Sequence, residues 1–151
     1  MARGLSSEHQ EQCVVIEWKW RMMGRYPELE LLHSIPNGAK LPYKKGKHGR
    51  WSSEAIWLKA EGLLPGVSDL HLPVPRGKYA SLYVELKYGA NKPTTDQESF
   101  LKKANSFGNL GVVCWGADAG IAVIERYLNL QSGSTMDVSD LEGVKVIDGQ
   151  G

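Results

Sequence analysis

The sequence predicts an α/β fold: a small mixed β-sheet flanked by helices. Three observations lead there. Helix-start residues stand ahead of apolar-periodic runs near Ser7, Ser53, Thr94 and Asp118. Short apolar runs of strand length lie between them. A helical segment separates the third such run from the fourth, which permits a parallel, right-handed crossover. The order read along the chain is α-β-α-β-β-α-β-α, a sheet of about four mixed strands with helices on its faces.

Ser7 and Gln10 form an S-x-x-Q capping box. The first helix is expected to reach Met23 and stop at Gly24, with Pro27 beyond. Val15, Trp18 and Met22 recur at helical spacing as its inner stripe. Glu8 lies two turns before Val15, nearly in line with that stripe, and Glu11 is also on the inner half; Glu17 faces away. An acid aligned with the apolar stripe is a candidate for a functional site. It also reads as a first-turn acid favoured by the helix dipole.

Residues 29–35 read as a short strand ending in the turn Pro36-Asn37-Gly38. The next segment, 39–50, carries Lys40, Lys44, Lys45, Lys47 and Arg50 and no acid. Gly38, Gly46 and Gly49 loosen it, and Tyr43 and Trp51 stand beside the charges. Basic residues mixed with aromatics in a mobile loop suit phosphate contact and base stacking. A solvated loop is the plainer alternative. Ser52 or Ser53 caps a second helix, which carries Ile56, Trp57 and Leu58 and ends near Gly62.

Residues 69–74 and 81–87 read as a hairpin around Pro75-Arg76-Gly77-Lys78. After a loop at 88–93, Thr94-x-x-Gln97 and Thr95-x-x-Glu98 are both capping boxes for a third helix that extends to Ser106. Residues 110–115 are an apolar run between glycines, the pattern of a buried strand. Asp118 is placed to cap a fourth helix holding Ile121, Ile124, Tyr127 and Leu128. From Gln131 onward the chain is rich in Gly, Ser and Asp. The domain is therefore drawn at 1–130, with a loose tail at 131–151 apart from a weak strand signal at 144–147.

With 151 residues, 42% of them hydrophobic, the chain has the size and composition of one domain with one core. Its net charge of +1 excludes a basic nucleic-acid coat, so any attraction to phosphate must come from local clustering. Cys13 and Cys114 lack metal-ligand spacing and read as small buried residues in a reducing compartment. No apolar run reaches the ~18 residues of a membrane span. Glu8 and Glu11 stand where a signal peptide needs an apolar core. A soluble, cytoplasmic protein is expected.

The chemistry concentrates in two stretches, Pro65-Gly66-Val67-Ser68-Asp69-Leu70 and Tyr83-Val84-Glu85-Leu86-Lys87. Glu85 and Lys87 sit one residue apart in an apolar strand, so they share a face. Burying both charges costs several kcal/mol unless each finds a partner. A hairpin centred on Gly77 sets Asp69 opposite Glu85, with β-carbons roughly 5 Å apart. Adjacent carboxylates repel and raise each other's pKa, a conflict that a divalent cation removes. Oxygen ligands without Cys or His favour Mg²⁺ or Mn²⁺ over zinc. Lys87 could orient a water or stabilise developing negative charge. The alternative is a surface hairpin whose Glu and Lys form an ion pair.

Asp at a strand start and Glu-x-Lys on the next strand, in this element order, resemble the PD-(D/E)xK nuclease superfamily. The match narrows with Glu8-x-x-x-Gln12, Ile35-Pro36-Asn37-Gly38, Glu61-Gly62-x-x-Pro65-Gly66-Val67-Ser68-Asp69-Leu70, Tyr83-Val84-Glu85-Leu86-Lys87 and Gln97. These resemble the VRR-NUC family in its stand-alone, phage-type form, over residues 7–128. The resemblance implies a restriction-endonuclease-like core and a metal-dependent phosphodiesterase that cuts DNA, often branched or flapped. Asp69 and Glu85 match its metal-binding acids, Lys87 its catalytic lysine, Glu8 its first-helix acid and a further metal ligand, and Gln97 its later glutamine. Leu86 would lend only its backbone carbonyl to the metal. Stand-alone members imply homodimers on four-way (Holliday) junctions, and five tryptophans leave room for an aromatic at such an interface. The alternatives are a general duplex endonuclease and a nucleic-acid-binding module that keeps the fold without hydrolysis.

Overall fold

A computed structural model describes residues 7–36, 44–46, 49–51 and 53–148, with only the backbone of 44–46 and 49–51. Helix α1 (Glu8–Met22) opens on the reciprocal cap: Gln10 N–H donates to Ser7 Oγ at 3.3 Å and Ser7 N–H to Gln10 Oε1 at 2.9 Å. Val15 and Trp18 are buried on its inner face. So is Lys19, whose ammonium donates to the Leu32 and Glu30 carbonyls at 2.7 and 3.3 Å. Those bonds offset the cost of burying its charge and tie the following segment to α1.

That segment is not one strand. Pro27–Leu31 forms a 3-10 turn, and only β1 (His33–Ser34) joins the sheet. Proline tolerates a first-turn position because the N–H it lacks has no partner there. The turn also tucks Leu29 and Leu32 into the core. The expected basic loop contains a two-stranded ribbon, β2 (Lys44–Gly46) and β3 (Gly49–Trp51), with Lys45 opposite Arg50 and Gly46 opposite Gly49. Gly46 and Gly49, read as loosening residues, pair across that ribbon instead.

Helix α2 (Ser53–Ala60) buries Ala55 and leaves Ile56 and Trp57 exposed. There follow β4 (Leu70–Leu72), β5 (Leu82–Lys87), α3 (Thr95–Ser106), β6 (Leu110–Trp115), α4 (Ala117–Leu128) and β7 (Val144–Val146). The main sheet runs β1-β4-β5-β6-β7; β5 and β6 are parallel and the other neighbours antiparallel. Helix α3 supplies the crossover between the parallel pair. The α/β expectation holds, with a fifth strand added by β7.

Alternation along β5 and β6 sorts the two faces. Leu82, Val84, Leu86, Val112 and Cys114 join the larger core with α1 and α4. Val113 packs with Leu101 of α3 and with Ile147 on the opposite face. Val15, Leu86 and Ile124 are fully enclosed, each burial contributing roughly 1.5–3 kcal/mol. Gly120 lets α4 approach closely: a β-carbon there would lie 3.2 Å from Leu86 Cδ2 and 3.5 Å from Val15 Cγ2.

Three expectations are corrected. Asp118 does not cap α4; it is exposed in the first turn, and the carboxylate of Glu11 takes the cap. Residues 131–148 are packed rather than loose. Met136 is buried with its N–H on Tyr79 Oη at 3.0 Å, Arg126 pairs with Asp140 at 2.5 Å, and β7 lies along β6. Cys13 is exposed on the outer side of α1, because two residues from Val15 is more than half a turn. Cys114 is buried, which pushes its thiol up to about 12. Among the described residues no helix is long and apolar enough to cross a membrane.

Candidate active site

The β4–β5 register builds the site. Leu70 pairs with Val84 and Leu72 with Leu82, so the next step of the ladder sets Asp69 opposite Glu85. Asp69 is pinned twice. Its Oδ2 accepts the Leu86 N–H at 2.8 Å, and its backbone carbonyl accepts the Ile35 N–H at 2.9 Å. The N–H and C=O of one strand residue point to the same edge, so the Leu86 carbonyl looks toward the same side as Asp69. The preceding loop is held by Gly66, at φ +87°, which rests on the Asp96–Gln97 backbone at the start of α3. A side chain at position 66 would collide with the Asp96 carbonyl.

Glu85 is 1% exposed and Lys87 5%. Lys87 Nζ lies 3.3 Å from Glu85 Oε1 and 3.7 Å from Glu8 Oε1. The ammonium thus bridges a buried carboxylate and one at the surface, the Glu8 side chain being 38% exposed. Asn91 Nδ2 donates to Glu8 Oε1 at 3.3 Å, and the Asn91 carbonyl accepts from Trp115 Nε1 at 2.8 Å. Neither Asn91 nor Trp115 carries a sequence signal that places it here.

Glu11, one turn after Glu8, faces elsewhere: its Oε2 accepts the Ala117 N–H at 2.7 Å. Gln97 closes the capping box of α3, accepting the Thr94 N–H on Oε1 at 2.8 Å while donating its own N–H to Thr94 Oγ1 at 3.2 Å. Of the basic residues, Lys40 and Lys47 lie outside the described residues, and Lys44, Lys45 and Arg50 are described in backbone only.

The electrostatics are those of acids held against their preference. Burial, then the Asp69 charge, push Glu85 up to about 8, against the pull of Lys87. Burial raises Asp69 too, despite the Leu86 N–H. When ionised, Glu85 leaves its buried Oε2 without a donor; only by taking a proton can it bond to Asp69. A buried orphan oxygen beside a second carboxylate fits a hard divalent cation. The carboxylate set is small: among the described residues no group of three or more His, Cys, Asp or Glu is placed to hold a metal. Asp69, Glu85 and the Leu86 carbonyl are the oxygens at hand, with Glu8 on the far side of Lys87.

A mixed five-stranded sheet between helices gathers Asp69, Glu85 and Lys87 on adjacent strands, an α/β arrangement of the kind a nuclease fold uses. A solved structure described as a VRR_NUC domain protein is similar to this chain: 27% identical, with a TM-score of 0.71, covering 89% of this chain and 99% of the other. No protein-family model matches the sequence, and no curated protein matches it. The chain has a VRR-NUC nuclease fold.

Proposed function

We propose that this chain is a Mg²⁺- or Mn²⁺-dependent deoxyribonuclease that acts as a homodimer on branched DNA, four-way junctions above all. The observation that carries the metal reading is the buried, donorless Glu85 Oε2 beside Asp69. Asp69, Glu85 and the Leu86 carbonyl would hold the ion, which supplies polarisation of the phosphate and a water of lowered pKa. Leu86 N–H orients Asp69 for that role. Lys87 is held between Glu85 and Glu8, where its Nζ can donate to a phosphate oxygen as negative charge develops. Glu8 keeps the ammonium at the open side of the site. Gln97 has its Oε1 engaged by Thr94 and would meet substrate through its amide nitrogen. Lys40, Lys44, Lys45, Lys47 and Arg50 would add phosphate contacts.

Assembly rests on surface chemistry. Trp57 is 71% exposed beside Ile56 on α2, apolar area that a second copy would cover. Two-fold pairing sets two identical sites against the symmetric strands of a junction.

Labelled junctions and linear duplexes test the reading. Asp69→Asn and Lys87→Ala should each lower Mg²⁺-supported cleavage at least about a hundredfold, the scale of one lost electrostatic stabiliser, with unchanged circular dichroism. EDTA should abolish cutting. Full activity in EDTA or in either variant would overturn the enzyme mechanism. Equal cutting of junction and duplex, or a monomer by light scattering with DNA bound, would leave a general endonuclease.

A further inference from the structure

The face of β5 that carries Glu85 also carries Tyr83, two residues earlier and about 7 Å along the strand. Its ring is fixed by two others: it stacks on His71, with centroids 4.2 Å apart and planes 9° apart, and meets Phe100 edge-on at 5.0 Å. His71 meets His33 edge-on at 5.2 Å. The row follows the sheet register, since His33 pairs with His71 and His71 with Tyr83. A rigid row of rings across a sheet is a surface on which a flat ligand can stack.

The row ends in a cleft of about 470 Å³, within the range of small-ligand sites. Tyr83, Phe100 and Phe107 line it together with Leu64, Asp96 and Lys103. Helix α3 starts just after β5 ends and returns toward the start of β6, so the cleft leads away from the carboxylates along the helix. Gly66, seated on the first turn of α3, holds the Leu64 side in place. The mouth is apolar and open: Phe107 is 78% exposed. Lys103 lines the cleft, and Lys102 is next to it in the chain, suited to a backbone phosphate. The occupant that matches aromatic rings, an acceptor and a donor in the lining and a further lysine next along the helix is a nucleobase still attached to its strand. A paired base is excluded, because its faces and its edge are already engaged. An unpaired base is free to stack, whatever its identity.

We propose that this cleft receives an unpaired nucleobase of the strand being cut, stacked on the aromatic rings with its edge toward Asp96 and Lys103. The enzyme then selects phosphates that neighbour a nucleotide unpaired at a branch point. This rests on the nuclease reading for its substrate class, so the decisive measurement is binding rather than cleavage. Gapped DNA, its gap position occupied by 5-iododeoxyuridine or by an abasic residue, is titrated against the full chain with Ca²⁺ in place of Mg²⁺. The expected result is about tenfold weaker binding to the abasic DNA, the scale of one stacked base. Photocrosslinks from the iodinated base should map to Phe100 or Phe107. Phe107→Ala, a change at an exposed ring that leaves the core intact, should shrink the abasic penalty below about threefold. Equal affinity for base and abasic DNA, or crosslinks that map elsewhere, would overturn the cleft assignment. If Mg²⁺-dependent cutting persists in that case, the nuclease reading stands without it. If no DNA is ever cut but the penalty and crosslinks hold, the cleft stands and the nuclease reading falls.

Discussion

Glu11 Oε2 accepts the Ala117 N–H at 2.7 Å, so the first helix caps the fourth. Helix α4 needs this help. Gly116, at φ +94°, holds its N-cap position and offers no side chain, and the first N–H groups of a helix have no partner within it. A carboxylate there also meets the favourable end of the helix dipole. One helical turn earlier, Glu8 meets Lys87 instead. Two acids on one face of α1 therefore have different work, one in the fold and one at the site.

Glu11→Ala should lower stability by about 1 kcal/mol, the usual cost of a lost N-cap, read as a fall in melting temperature. Glu8→Ala should cost less stability and more cleavage. The reverse ranking of the two variants in melting and activity assays would contradict this division.

Glu85 makes stability depend on pH. Its folded pKa, about 8, lies above the ordinary 4.5. The folded form thus holds the proton more tightly than the unfolded chain does. That contribution is full below about pH 4.5 and is lost as pH rises through about 8. The raised Asp69 acts in the same direction. Metal-free protein should melt at progressively lower temperature from pH 5 to pH 9, and Glu85→Gln should flatten that slope. Added Mg²⁺ should restore stability most at the alkaline end, releasing protons on binding; calorimetry in buffers of different ionisation enthalpy counts them.

Gly66→Ala should perturb both fold and site. It forces a non-glycine residue to φ +87° and drives a methyl into the Asp96 carbonyl. A loss of roughly 1–3 kcal/mol is expected from backbone strain alone. Activity at temperatures well below melting should fall as well, since the same loop leads into Asp69. Wild-type melting and cleavage would show that the contact yields without cost.

Replacing Lys44, Lys45 and Lys47 together with Ala should weaken DNA binding and flatten its salt dependence. Each lost phosphate contact removes roughly 0.9 from the log–log slope. Turnover at saturating DNA should change less. An unaltered slope would assign these lysines to solvent.

Local signals were legible in the sequence because their causes are local. Ser7 and Gln10 announce the first helix, Thr94 and Gln97 the third, and glycines bracket the apolar run of β6. The hairpin about Gly77 follows from one turn and the period of a strand, and the β4–β5 register agrees with it. Features set by distant partners were not legible. Glu8 and Glu11 share a helix face, and only the position of α4 separates them. The packing of residues 131–148 depends on Tyr79 and Arg126, and on Asn105 Nδ2, which donates to the Ile147 carbonyl at 2.6 Å. Asn91 reaches Glu8 from a loop whose carbonyl Trp115 holds.

The bonds from Glu11 to Ala117, Gly116 to Lys87 and Trp115 to Asn91 join segments that lie far apart in the chain. Their order has a consequence for synthesis. Asp69, Glu85 and Lys87 are synthesised before β6 and α4, so the strand beside β5 and the helix that Glu11 caps come later. Long-range pairings of this kind form late, after the loops between them have closed. A chain made only as far as β5 therefore holds every acid of the site but lacks the strand that flanks Glu85 and Lys87. The candidate site is completed only when residues 110–128 have folded against it.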